Sequence, residues 1–288
     1  MIATARRYGI IAGSGMLPVT LAERLVENGD KPVIVGIAGE VDAALRTYDF
    51  KVLSLAKIAY ALPFFKQQNV THIIFAGGVQ SRPKATALRV PLSLWPEVPA
   101  ALVALKKGDD GLLGALVRMF ERHALKVIGA HEILQDHVAQ LGVIIGGKPA
   151  ASSEVTIHAG VAAARMIGQL DIGQAVVALG RRVIAVEGLE GTDQMLARIL
   201  ALRSNGRINS DAKPVLIKIA KPRQELRVDM PVIGPQTVNG CKAAGIELIC
   251  VSAESTMIME VGKTLELAKK SGISIYGLSP EEWGLAPK

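Results

Sequence analysis

Residues 8–29 read YGIIAGSGMLPVTLAERLVENG and place a strand, a glycine turn and a helix in direct succession. The apolar run 8–12 predicts a buried strand, Pro18 suits the first turn of a helix, and Gly29 marks the end of that helix near Asn28. The following residues repeat this alternation, which is typical of a parallel sheet. Strands are predicted at 32–37, 52–55, 72–76 and 126–128, and helices at 57–68, 98–106 and 110–123.

The second half of the chain has a more mixed pattern. Its predicted elements are a helix at 157–170, a hairpin at 174–179 and 182–187, a helix from Thr192, strands at 215–219, 246–251 and 274–276, and a helix at 261–271. We therefore predict an α/β protein of two α/β domains, the N-terminal one Rossmann-like with a parallel sheet. The N-terminal domain is predicted at 1–135, a linker region at 136–153, where glycines and a proline interrupt the pattern, and the C-terminal domain at 154–288.

The composition restricts the partners of the chain. Half of the 288 residues are hydrophobic and only 4% are aromatic, which excludes a disordered chain and argues against a nucleic-acid partner bound by base stacking. The net charge of +7 favours acidic partners. No apolar run is long enough to cross a bilayer, so a cytoplasmic protein is expected, while the mean hydropathy of +0.33 leaves room for peripheral membrane contact. Cys241 and Cys250 lack metal-ligand spacing and are expected to be buried thiols.

Two glycine turns follow predicted strands of the first half. The turn at 13–15, GSG, leads into a helix, where backbone N–H groups attract phosphate, but Pro18 stands in place of the third glycine of a dinucleotide fingerprint. The second turn lies in FAGGVQSRP, residues 75–83. Ligands of open α/β sheets bind at carboxyl strand ends, so both turns are predicted to line one crevice. The alternative is that they are tight turns without a ligand.

The segment VEGLEGTDQML, residues 186–196, places several carboxylates around a helix start. Glu187, Glu190 and Asp193 are near enough in sequence to share a hard cation such as Mg²⁺ with phosphate oxygens. The alternative is that Thr192 or Asp193 caps the helix.

The stretch KPVLIKIAKPRQELRVDMPVIGPQTV, residues 213–238, sets a cluster of cations beside Asp229 in an otherwise apolar run. Asp229 can bind a metal or activate a water, and the cations can neutralise a polyanionic ligand. The alternative is an edge strand with a solvated basic face. The cations of this cluster are Lys218, Lys221, Arg223 and Arg227.

Seven motifs of this chain occur in the order seen in the LpxI family, the UDP-2,3-diacylglucosamine pyrophosphatases of lipid A biosynthesis, which the chain resembles nearly from end to end. The AKPRQELRVDMPVIG segment at 220–234 is the most specific of them. The motifs are IIAGSGMLP at 10–18, FAGGVQSRP at 75–83, KKGDDGLL at 106–113, GAHE at 129–132, LDIGQAVV at 170–177, VIAVEGLEGTDQML at 183–196 and IKIAKPRQELRVDMPVIGPQTV at 217–238.

The resemblance implies a Mg²⁺-dependent hydrolase that binds its substrate in the cleft between the two domains. It implies cleavage of the pyrophosphate of UDP-2,3-diacylglucosamine to UMP and 2,3-diacylglucosamine 1-phosphate, known as lipid X. It further implies Asp229, carried by the C-terminal domain, as the catalytic residue and Asp229 and Asp193 as metal ligands. The implied substrate-binding residues are Gly15, Met16, Gly78, Val79, Gln174, Glu190, Gly191, Thr192, Asp193, Lys218, Lys221 and Arg227.

The resemblance also implies peripheral association with the inner leaflet of the cytoplasmic membrane, and it allows a homodimer. Two other functions stay open. A non-catalytic nucleotide-sugar or lipid-binding protein would explain the turns and cations but gives Asp229 no role. An NAD-dependent oxidoreductase would use the first turn, yet Glu40 and Asp42 lie late for a ribose-binding acid.

Overall fold

The computed structural model describes residues 6–79, 89–99, 109–222 and 224–283. The chain divides into two compact units. The first unit comprises Met1–Gln135 together with Glu225–Asp229, and the second comprises Asp136–Gln224 together with Met230–Lys288. Arg82, Arg223 and most of the helix predicted at 98–106 lie outside the described residues.

A five-stranded sheet forms the centre of the first unit, with the order β3-β2-β1-β4-β5 and every pair parallel. This arrangement confirms the predicted Rossmann-like parallel sheet. Its strands are β1 (Tyr8–Ala12), β2 (Val33–Ile37), β3 (Asp49–Leu53), β4 (His72–Ala76) and β5 (Lys126–Val127). The helices are α1 (Leu17–Glu27), α2 (Ala61–Gln67), α3 (Asp109–Arg122) and α4 (Ala130–Ile133), with 3₁₀ turns at Ala43–Thr47, Leu55–Tyr60 and Leu92–Glu97.

Two elements of this unit differ from the predictions. β3 begins at Asp49 and not at residue 52, because it is an edge strand whose exposed residues hide its start from a search for apolar runs. The single helix predicted at 57–68 is a 3₁₀ turn followed by α2.

The core of the first unit draws on both of its chain segments. Phe65, Ile73 and Phe120 are fully buried, and Val228 of the second segment packs against the same cluster. Burying a large apolar side chain contributes about 1.5–3 kcal/mol. The segment Glu225–Asp229 is therefore attached to the first unit by its apolar side chain as well as by the polar contacts described below.

The second unit contains a mixed six-stranded sheet with the order β6-β13-β11-β9-β7-β8. Its strands are β6 (Gly142–Ile145), β7 (Ala175–Leu179), β8 (Arg182–Val186), β9 (Val215–Lys218), β11 (Leu248–Ser252) and β13 (Ser274–Leu278). A separate pair is formed by β10 (Val232–Ile233) and β12 (Met257–Ile258). The helices are α5 (Glu154–Gln169), α6 (Gly191–Ser204), α7 (Pro235–Ala243), α8 (Val261–Lys270) and α9 (Pro280–Trp283), with 3₁₀ turns at Gln135–His137 and Ala151–Ser153.

Three features of the second half differ from the sequence-based expectations. Residues 136–153, expected as a linker, belong to the second unit and contain β6, which pairs antiparallel with β13. Gly142 and Gly146 adopt φ angles of +82° and +79° at the two ends of this short strand, and these glycines look like a linker in the sequence. β9 lies between β11 and β7, so it is not an edge strand. Asp229, expected in the C-terminal domain, is grouped with the first unit.

The prediction of two buried thiols is confirmed. Cys241 and Cys250 are unpaired and buried, and burial raises the pKa of both thiols. Within the described ranges, no helix combines the length and apolar character that crossing a membrane requires.

Candidate functional site

The two glycine turns of the first unit meet at the carboxyl edge of its sheet. The Ser14 N–H donates to the Gly78 carbonyl at 2.7 Å, and the Gly78 N–H donates to the Ser14 carbonyl at 3.0 Å. The turns follow β1 and β4, the neighbours at which the strand order changes direction. Such a switch point is the usual ligand position in open α/β sheets. The predicted proximity of the two turns is therefore confirmed.

The close approach of the turns explains their glycines. A Cβ on Gly13 would lie 2.2 Å from the Gly78 carbonyl oxygen, and one on Gly77, whose φ is +89°, would lie 2.5 Å from the Ser14 carbonyl oxygen. Gly15 has a φ of +90°, and a Cβ there would meet no described heavy atom within 4 Å. The exposed side chains of Met16 and Val79 flank the turns in sequence. The structure thus gathers Gly15, Met16, Gly78 and Val79 at one edge.

Replacing Gly77 by alanine is expected to destabilise the first unit by about 2 kcal/mol or more, because the side chain meets backbone at a left-handed φ. Urea unfolding followed by circular dichroism measures the loss. Gly262→Ala is the matched control, since Gly262 lies in α8 and a Cβ there meets no described atom within 4 Å. Equal stability of Gly77→Ala and the wild type would contradict the close contact of the turns.

A chain of hydrogen bonds joins predicted ligand-binding residues of the second unit. Antiparallel pairing brings the start of β7 to the ends of β8 and β9. There, Glu187 accepts the Gln174 backbone N–H at 2.9 Å and the Thr192 hydroxyl at 2.5 Å. The Lys218 ammonium donates to the Thr192 hydroxyl oxygen at 2.9 Å, and both of these residues are buried. Gln174, Thr192 and Lys218 are thus brought together, with Glu187 joining Gln174 to Thr192.

A second set of contacts extends this chain to Lys221. Its ammonium lies 2.7 Å from the Asp171 carboxylate, with only 10% of the lysine side chain exposed. The Gln224 side-chain amide donates to the Gln174 side-chain oxygen at 3.1 Å, and the Lys221 backbone N–H donates to Gln224 at 2.8 Å. Asp171 was not among the predicted site residues, although it lies in the DIGQ motif beside Gln174.

The carboxylates of residues 186–196 have different environments. Glu187 is buried, Glu190 precedes α6 and pairs with Arg198 at 2.7 Å, and Asp193 is exposed in the first turn of α6. Gly191 has a φ of +82°, which lets the chain turn into the helix. In the described part of the chain, no three His, Cys, Asp or Glu side chains gather to hold a metal.

The donor chemistry nevertheless fits Mg²⁺. This ion is commonly held by one or two carboxylates together with substrate phosphates and water, so it does not need a cluster of three protein ligands. Asp193 is exposed and Asp229 is half-buried, and both offer the hard oxygen atoms that Mg²⁺ prefers. Asp193 belongs to the second unit and Asp229 to the first.

Arg227 attaches the segment of Asp229 to the first unit. Its guanidinium donates two hydrogen bonds of 2.8 Å to Glu225, one of 2.6 Å to Glu121 on α3 and one of 3.3 Å to the Val127 carbonyl. The pKa of Glu225 is lowered, chiefly by its side-chain hydrogen bonds from Arg227. We call this arrangement of Arg227, Glu225 and Glu121 the arginine clasp. A substrate phosphate would have to compete with these carboxylates for Arg227.

The Glu225 carbonyl also organises the backbone of this segment. It accepts the Val228 N–H at 2.9 Å and the Asp229 N–H at 3.0 Å, which forms a tight turn that ends at Asp229. Glu121 gave no signal in the sequence, because a charged residue on an amphipathic helix looks like ordinary surface.

These features define a Rossmann-like α/β unit combined with a second α/β unit that carries a buried lysine at a strand end. The model of the LpxI N-terminal domain matches residues 7–137, and that of the LpxI C-terminal domain matches residues 140–276. The chain therefore belongs to the LpxI family.

One curated relative and one solved structure show how far the likeness extends. The chain is 32% identical over 278 residues to the UDP-2,3-diacylglucosamine pyrophosphatase LpxI of Caulobacter vibrioides, covering 96% of this chain and 99% of the relative. It shares 14% identity and a TM-score of 0.27 with a biotin carboxylase-beta-gamma-ATP complex from Campylobacter jejuni, covering 70% of this chain and 43% of that one. The second likeness is too weak to support any argument.

Proposed function

We propose that this protein hydrolyses the pyrophosphate bond of UDP-2,3-diacylglucosamine in a Mg²⁺-dependent reaction that gives UMP and 2,3-diacylglucosamine 1-phosphate. The observation that carries this proposal is the 32% identity, over nearly the full length of both chains, to a relative of that name. The reaction would belong to lipid A biosynthesis. Neither rival function has comparable support from family membership.

Among the three predicted ligand-binding cations that the structure describes, Lys218 is the best suited to offset phosphate charge. Lys221 and Arg227 contact carboxylates, whereas Lys218 contacts the neutral hydroxyl of Thr192. A lysine ammonium has three donors and Thr192 takes one of them. The N–H groups of the glycine turns would add neutral donors for phosphate oxygens. Such preorganised donors stabilise the charge that develops on the oxygen atoms during hydrolysis.

Asp229 would act on water or on the metal. The water oxygen forms a bond to one phosphorus, the P–O bond to the bridging oxygen breaks, and a proton leaves the attacking water. A carboxylate within reach of that water can accept the proton. Asp229 and Asp193 each offer a carboxylate to Mg²⁺, which when bound would supply additional positive charge to the phosphate oxygens.

The proposal includes a location and an assembly. A substrate and a product that carry acyl chains would be met at the inner leaflet of the cytoplasmic membrane. The net charge of +7 favours contact with anionic lipid headgroups. Flotation with anionic and with zwitterionic vesicles would test the membrane contact. We expect the protein to bind the anionic vesicles alone. Light scattering would test for a homodimer.

The function is tested with purified protein and UDP-2,3-diacylglucosamine in ¹⁸O-labelled water, with product analysis by mass spectrometry. We expect UMP and lipid X in the presence of Mg²⁺, and loss of both products when a chelator removes the metal. One product should carry the label: ¹⁸O in lipid X means attack on the sugar-side phosphorus, and ¹⁸O in UMP means attack on the uridine side. If the substrate bound tightly but stayed intact, the proposed enzymatic function would be wrong and a non-catalytic binding protein would be favoured.

A further inference from the structure

Glu187 is a buried acid that links two of the residues proposed to bind substrate. It follows β8 and is 7% exposed. One carboxylate oxygen accepts the Gln174 backbone N–H and the other accepts the Thr192 hydroxyl, at 2.9 Å and 2.5 Å. A buried carboxylate is costly unless hydrogen bonds compensate for the lost water. Each oxygen thus accepts a hydrogen bond from the protein, which favours an orienting role for Glu187 over metal ligation.

The direction of the hydrogen bonds fixes the Thr192 hydroxyl. A lysine ammonium can only donate, so the Thr192 oxygen accepts from Lys218. The single hydroxyl hydrogen then points to Glu187. By holding this hydrogen, the Glu187 carboxylate orients the Thr192 oxygen toward Lys218. The oriented oxygen in turn positions the Lys218 ammonium.

The backbone around Glu187 is fixed by independent contacts. A Cβ on Gly173 would lie 2.3 Å from the Glu187 carbonyl oxygen, so the two backbones touch. The Glu187 N–H donates to the Ala175 carbonyl at 2.8 Å, and the Ile219 N–H donates to the Gln174 carbonyl at 3.1 Å. These bonds connect the ends of three neighbouring strands, so Glu187 has a rigid base from which to orient other groups.

We propose that Glu187 is a positioning residue for the hydrolysis, holding Thr192 and, through its hydroxyl, the ammonium of Lys218 at the end of β9. The inference rests on the proposed function. In this proposal the role of Thr192 is to orient Lys218, because its hydroxyl donates its single hydrogen to Glu187 and accepts from Lys218.

The test is steady-state kinetics of Glu187→Gln, which keeps the size of the side chain but replaces one acceptor oxygen by a donor. We expect kcat to fall about 10- to 100-fold, as for other residues that orient a functional group. KM should stay within about 3-fold, since the groups that contact substrate remain. Glu266→Gln is the matched control, an exposed glutamate on α8 paired with Lys270, and its kinetics should equal those of the wild type.

Thr192 provides a second way to break the same chain if Glu187→Gln does not fold. Thr192→Val should lower kcat to a similar degree, and Thr192→Ser, which keeps the hydroxyl, should lose less. In the double variant of Glu187→Gln and Thr192→Val the losses should not multiply, because both changes interrupt one chain.

Three results would overturn the inference. They are wild-type kcat in Glu187→Gln, multiplied losses in the double variant, and a loss that only follows the fraction of unfolded protein, which would make Glu187 a stability residue. Failure of the proposed function has a different signature: neither the wild type nor Glu266→Gln would then release UMP.

Discussion

Replacing Asp229 by alanine is expected to lower kcat by about 10³-fold, because the change removes the carboxylate proposed to take a proton from water or to hold the metal. The backbone turn that ends at Asp229 depends on N–H groups and the Glu225 carbonyl, so it should survive the substitution. Substrate affinity should therefore change by less than about 3-fold. Product formation in a single-turnover assay and calorimetric binding of the intact substrate measure the two quantities separately.

Asp211→Ala is a suitable control for this experiment, since Asp211 is exposed in a loop of the second unit and has no proposed role. Its turnover should match the wild type. If Asp229→Ala lost binding and turnover to the same degree, Asp229 would be an affinity or structural residue. Full turnover in Asp229→Ala would remove it from the mechanism altogether.

Breaking the arginine clasp is expected to have the next largest effect. Arg227→Met leaves Glu225 and Glu121 without their shared partner and removes the polar attachment of the segment that ends at Asp229. A displacement of about 1 Å at a reacting group can cost about 10²-fold, so we expect kcat to fall by that order. Arg227→Lys should also lose activity, because a lysine cannot donate two parallel hydrogen bonds to Glu225.

Glu121→Gln distinguishes the clasp from direct substrate binding. If Arg227 positions Asp229, this substitution should lower kcat by about 10-fold, and combining it with Arg227→Met should add little further loss. If Arg227 instead binds phosphate, Glu121→Gln should behave like the wild type and Arg227→Met should mainly raise KM. Measurements of kcat and KM for the three variants separate the two roles.

The pH dependence of the clasp follows from the lowered pKa of Glu225. A carboxyl group whose pKa is lower in the folded state than in the unfolded state stabilises the folded state at pH values above the unfolded-state pKa. The contribution is lost as the pH falls through the lowered value. The clasp should therefore be intact at neutral pH and weaken only under acidic conditions.

The sequence predicted the regular parts of the fold well. β1 and β4 were predicted with their observed bounds, and the β7–β8 hairpin and the parallel sheet of the first unit were confirmed. These elements have long apolar runs or clear turn residues. β6 was missed because it is short and lies between glycines, and α7 was missed because its apolar residues do not form a long periodic pattern.

The candidate site was only partly predictable. The proximity of the glycine turns follows from a general rule about carboxyl strand ends, so it could be inferred from residues 13–15 and 77–78. The carboxylates that pair with the cations could not be inferred from the sequence. Arg227 meets Glu121 across 106 positions and Lys221 meets Asp171 across 50, and no local pattern records contacts at such separations. Local sequence indicates which charges exist, whereas tertiary packing decides which of them are already neutralised.

The position of Glu225–Asp229 in the first unit has a consequence for synthesis of the chain. Domains generally fold as units, with the N-terminal one first as the chain leaves the ribosome. Here the last segment of the N-terminal unit is made late, because Arg227, the partner of Glu121, lies 106 residues further along the chain. A nascent or truncated chain that ends before residue 225 thus contains the parallel sheet and both glycine turns but lacks Arg227 and Asp229. The first unit is thus completed by a late segment, which is made only after most of the second unit.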